Sequence, residues 1–99
     1  MVNCGLFVRL EAREGKEADV EALISQALDM ANEEAGTPVW FGLRFGPGSF
    51  AIFDAFESSN LREDHLGGPI AAALMARSAE LFKKPPVIEM ADVLAVKLP

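Results

Sequence analysis

His65 is the only histidine in this chain, which has no tyrosine and a single cysteine, Cys4. Near neutral pH the imidazole therefore has little competition as a proton carrier. It lies in the stretch DAFESSNLREDHLGGP, Asp54–Pro69, which opens on a carboxylate and closes on a glycine pair. Leu61 and His65 are four apart and share one face of a short helix. With Leu61 inward, His65 borders the interior, near the carboxyl end of that helix, where the dipole favours imidazolium. Gly67 and Gly68 then open the next helix, and free N–H groups around Gly68 and Ile70 to Ala72 suit an anion. Two roles fit: His65 takes a proton from a phenol and leaves the phenolate held by those donors, or it caps the helix by satisfying local carbonyls.

Asp54 is the second candidate. If Pro47-Gly48 centres the preceding turn, Asp54 shares a face with Phe41, Ile52 and Phe56. A carboxylate among such neighbours must find donors or take up a proton. It is then either a general base or the partner of a nearby arginine, and a one-residue slip would turn it to the other face. Arg44 shares a face with Trp40 across Gly42, which either stacks a guanidinium on a flat aromatic ligand or pairs with Glu11 or Glu89 at an interface. The ligand-contacting set that follows is Phe56, Trp40, Arg44, Leu61 and Gly68. Other chemistries are missing. One histidine and one cysteine do not build a histidine- or thiolate-rich zinc site, and neither GxGxxG, a P-loop nor Gly-x-Ser-x-Gly occurs.

The elements that must position these residues follow from periodicity. Leu6–Arg13 predicts a strand, with period two from Val8. Val20, Leu23, Ile24, Ala27 and Ala31 predict a helix over residues 17–34, with Glu17, Asp19 and Glu21 near its start and Gly36 and Pro38 as its stop. Thr37–Phe45 and Phe50–Phe56 predict a hairpin about Gly46-Pro47-Gly48. In the first of these strands Val39, Phe41, Leu43 and Phe45 point one way. Ser58 or Asn60 caps a short helix, with Glu63 completing a capping box if Asn60 is the cap. Pro69 starts another helix, running to about Lys83 with Ile70, Ala73, Leu74 and Leu81 inward. Val87–Leu98 is the last strand. The order β-α-β-β-α-β implies an α+β, ferredoxin-like domain spanning residues 1–99, its four-stranded antiparallel sheet carrying both helices on one face.

Ninety-nine residues build one core with little margin, yet 51% of them are hydrophobic. The strands are apolar on both faces, as in Phe50-Ala51-Ile52-Phe53, where a one-sided sheet would alternate. A homodimer joined sheet to sheet accounts for both facts. A net charge of −6 disfavours nucleic acid. No segment has the ~20 apolar residues that span a bilayer, and no cationic helix suits a membrane surface. The lone cysteine and the lack of a secretion signal make a cytoplasmic protein the expectation.

AIFDAFES followed by NLREDHLGGPIAAAL, within this element order, resembles the antibiotic biosynthesis monooxygenase domain, a branch of the dimeric α+β barrel proteins. The likeness covers nearly the whole chain and is most specific at Phe56, Asn60–Asp64, His65 and Leu66. It implies a homodimer with a small-ligand pocket between sheet and helices. It also implies oxidation of a small aromatic, quinol or polyketide-like compound by oxygen without metal, flavin or other cofactor. Some members of that family open haem instead, with an asparagine on the first strand, a tryptophan and a histidine. Only His65 matches that set here: Phe56 stands where tryptophan is expected and Val8 occupies the middle of the first strand. The alternatives are a non-catalytic homodimer that binds a small apolar metabolite, and an isomerase or lyase of the same barrel family.

Overall fold

In the computed structural model, which describes all 99 residues, the elements are β1 (Cys4–Glu11), α1 (Glu17–Asn32), β2 (Val39–Gly46), β3 (Ser49–Phe56), α2 (Ser59–Leu66), α3 (Pro69–Ala76), α4 (Ser78–Leu81) and β4 (Val87–Asp92). The strands form one antiparallel sheet in the order β2-β3-β1-β4. This is the expected α+β, ferredoxin-like arrangement. Alternation along β1 buries Leu6, Val8 and Leu10 against the helical layer. Val20, Leu23, Ala27 and Ala31 form the buried stripe of α1 and meet Phe50, Ile52, Leu81 and Phe82 in the main core. Gly15, at φ +84°, makes the left-handed turn into α1 that a side chain would oppose.

The β2–β3 hairpin departs from the expected register. Gly46 pairs with Ser49, but Arg44 pairs with Phe50, so Phe45 is an extra residue and the ladder is shifted beyond it. Asp54 therefore faces Trp40, not Phe41, and the neighbour expected for it from a regular turn is corrected. Trp40 and Gly42 turn toward the helices, where a Cβ on Gly42 would run into the Ile24 side chain. Phe41, opposite Phe53, lies on the outer face with Phe7.

Three further boundaries differ. Ser58 caps α2 by accepting from the Leu61 N–H, so Asn60 lies inside the helix and no capping box forms. The helix begun by Pro69 breaks at Arg77 rather than running to Lys83. Backbone bonds from Arg13 N–H to Leu81 O and from Lys83 N–H to Glu11 O draw the chain onto the end of β1 instead. β4 stops at Asp92, paired with Cys4; beyond it one bond, from Val93 N–H to Asn3 O, continues the pairing, and residues 94–98 have no strand to pair with. The helical layer leaves the other sheet face bare. Phe41 and Phe45 are 52% and 55% exposed on it, Leu43 and Val87 are partly exposed, and the Arg9 guanidinium lies 4.6 Å from the centre of the Phe45 ring.

Candidate active site

α2 carries His65 to the sheet. Its Ser58 cap fixes the start, and Arg62 Nη1 ties the helix to the edge by donating to Gly5 O and Ala91 O. Leu61 and Leu66 pack on the small cluster of Cys4, Leu6 and Phe56. Between those two leucines in sequence, His65 turns inward and is 7% exposed. Its ring lies 5.2 Å from that of Phe56, tilted by 49°. Asp54 comes up from β3 on the same side of the sheet, only 1% exposed.

The two meet. His65 Nε2 is 2.8 Å from Asp54 Oδ2. The other ring nitrogen, Nδ1, is 2.6 Å from Oε2 of Glu34, in the connection after α1. Thr37 Oγ1 donates to that same Glu34 oxygen at 2.9 Å and lies 3.4 Å from Nδ1. A neutral imidazole would turn a lone pair toward one of these carboxylates; an imidazolium donates to both. Burial, the largest single effect, pushes the imidazole toward the neutral form. The hydrogen bonds to Asp54 and Glu34 and the charges of both outweigh it and hold His65 above its ordinary value.

One acceptor is left over. Oδ1 of Asp54 is buried and has no hydrogen-bond partner in the protein. Asp54 and His65 both line a cavity of about 280 Å³ between the sheet and α3, walled chiefly by Leu6, Val8, Ile52, Ile70, Leu74 and Ile88. Leaving a buried acceptor unmet costs about 1–3 kcal/mol, more when it is charged. A ligand that donates one hydrogen bond would remove that cost. The cavity lies just below the usual span of ligand sites, roughly 300–1,000 Å³, and suits a small molecule.

The expected residues are thus divided. His65, Asp54 and Gly68 line the cavity, and Phe56 lies beneath the imidazole. Leu61 borders a shallower dent on the far side of His65, beside Glu34 and Thr37. Trp40 packs against the main core, away from the cavity. Arg44 reaches Glu21 of α1 at 3.6 Å, both side chains largely exposed, in place of a pairing with Glu11 or Glu89. The anion cradle is smaller than expected: Gly68 N–H donates to His65 O and Ala72 N–H to Gly68 O. Glu34 was not among the expected site residues. Its one signal was a carboxylate at a helix end with a threonine three residues on.

No protein-family model matches the chain, and no curated protein does. Among solved structures, a protein of unknown function from Nitrosomonas europaea is 52% identical, with all of this chain aligned to 96% of that one at a TM-score of 0.96. A provisionally assigned antibiotic biosynthesis monooxygenase from the same organism aligns over 93% of this chain and 99% of its own, at 13% identity and a TM-score of 0.82. Another protein so assigned, from Caulobacter crescentus, is 22% identical over 95% of this chain and 92% of its own, with a TM-score of 0.79. The last two likenesses establish the fold.

Proposed function

We propose, for a chain that belongs to one family with the Nitrosomonas europaea protein of unknown function and has the antibiotic biosynthesis monooxygenase fold, that it is a cofactor-independent monooxygenase of a small aromatic or quinol-type phenol. The observation that carries this reading is Asp54 itself: it lines an apolar cavity, its Oδ1 is a buried acceptor with no partner, and its twin oxygen is held by His65. Both nitrogens of His65 face carboxylates, so the base is Asp54 and the imidazolium is the cation behind it.

The hydroxyl proton of a phenol passes to Asp54 Oδ1. The phenolate gives one electron to dioxygen, and the phenoxyl radical and superoxide join through a C–O bond at a ring carbon that bears hydrogen. The peroxide takes the proton back from Asp54. The ring carbon then loses its hydrogen to Asp54 as a proton while the O–O bond breaks, and the departing hydroxide takes that proton to leave as water. One phenol and one dioxygen give one quinone and one water. Apolar walls exclude water from the radical pair and strengthen the field of the imidazolium on the nascent phenolate.

Two copies meet in this reading through the outer sheet face, where Phe41, Phe45, Leu43 and Val87 are exposed. Oxygen uptake with a panel of quinols and naphthols tests the assignment. Uptake by the native chain, lost in Asp54→Asn, is the expected result. Tight binding of the same compounds with no uptake would make the chain a carrier, and uptake unchanged in Asp54→Asn would remove the base.

A further inference from the structure

We infer that Glu34 is a positioning residue for the buried pair: it grips His65 from the solvent side, so that Nε2–H is aimed at Asp54 Oδ2 and Oδ1 is left for the ligand. This rests on the catalytic reading above only for its effect on turnover. The geometry is that of a relay crossing a wall. On the inner side, Asp54 and His65 face the cavity. On the outer side, the same His65 and Glu34 border the shallow dent with Thr37, Asp64 and Gly68. One imidazole therefore touches two compartments, the first apolar and the second open to water.

The connection after α1 is built to hold that carboxylate still. Glu34 N–H donates to Ala31 O and Thr37 N–H to Glu34 O, closing two turns in succession. The Thr37 hydroxyl then fixes Oε2 from the side. The Glu34 side chain is 20% exposed, against 2% for Asp54, so it touches solvent while its oxygen reaches the ring. The charged groups around the imidazole are Asp54 from β3, Glu34 from the connection and Asp64 from its own helix, bordering the dent; α3 carries none. All three are acidic, and Glu34 is the one bonded to Nδ1.

The test exploits the single histidine. In the full chain, nitrogen-15 NMR of the imidazole gives one ring's signals with no overlap, and these are followed against pH in the native protein, Glu34→Gln and Glu34→Asp. Both ring nitrogens of the native protein stay protonated above the pH at which a free histidine titrates, and Glu34→Gln moves that midpoint down. Should Glu34→Gln fail to fold, Glu34→Asp withdraws the charge by one methylene, and its midpoint also lies below the native one. A native midpoint in whichever variant folds overturns the inference, whether or not any substrate is turned over. With a quinol that the native chain oxidises, Glu34→Gln lowers kcat about tenfold or more, the scale of losing an imidazole-orienting partner, with KM nearly unchanged because Glu34 does not touch the ligand. A raised KM at constant kcat would contradict it. Absence of oxidation by the native chain counts against the proposed reaction alone.

Discussion

The two faces of the sheet carry opposite anomalies. On the helix side an apolar layer encloses a charged pair, Asp54 and His65, with one oxygen unmatched. On the other side large apolar rings stand in water, Phe41 and Phe45 among them. Neighbouring residues of one strand take opposite sides: Ile52 and Asp54 point one way, Phe53 the other. The difference teaches what each face lacks. A narrow cavity with one unmatched acceptor asks for a small molecule that brings one donor. A broad greasy surface with few polar atoms asks for a large flat partner, and on its reading as a dimer face that partner is a second copy.

The largest effect tests the inner face. Asp54→Ala removes one member of a buried pair and leaves Nε2–H of the imidazolium without an acceptor, Glu34 remaining on Nδ1, which costs about 3 kcal/mol in urea unfolding. Asp54→Asn keeps the shape and lowers oxidation of a phenol about 10²–10⁴-fold, the usual contribution of a positioned base. A loss of only a few fold would equate the two faces as mere packing. The outer face comes next. Phe41→Glu weakens self-association by about 2 kcal/mol or more, near 30-fold in Kd, read by sedimentation, while the NMR midpoint of His65 stays put. If the native chain sediments as a single copy at micromolar concentration, the proposed dimer fails.

A smaller effect comes from pH. His65 titrates above its ordinary value of 6.5 in the folded chain. Its contribution to stability is complete below that value and is lost as pH rises through the folded midpoint. Denaturation midpoints of the native chain therefore fall on raising pH through that window, and the corresponding fall is absent in His65→Gln. The least effect is expected at Arg44→Ala. Its exposed bridge to Glu21 contributes within about 0.5 kcal/mol, and oxygen uptake should not change.

The fold was legible where periodicity carries it. The stripe of Val20, Leu23, Ala27 and Ala31 and the alternation of β1 need no tertiary information, and the element order follows from them. His65 and Asp54 were legible as candidates because each is chemically conspicuous: a solitary imidazole, and a carboxylate inside AIFDAF. Their contact was not, since it joins a helix to a strand. Glu34 was the hardest to see. In Glu33-Glu34 at the end of an acidic helix it reads as a solvated charge, and only the fold brings His65 over it. The over-long last strand came from apolar residues that continue past Asp92, where pairing ends after a single bond from Val93 N–H to Asn3 O. The register of β2 depended on one extra residue at Phe45, which no turn dipeptide announces.

That extra residue makes the hairpin sensitive to parity. Inserting one residue beyond Arg44, with the bulge and the turn kept, would re-phase β2 by a single step, and Leu43 would replace Gly42 opposite Ile52. Leu43 would then be driven at Ile24, where even a methyl does not fit, and the indole of Trp40 would be turned out of the core. Removing Phe45 itself would leave Arg44 opposite Phe50 and Gly46 opposite Ser49, so only the bulge would go. Homologous chains with the same packing of α1 on β2 should therefore either keep the extra residue or lose it together with the bulge.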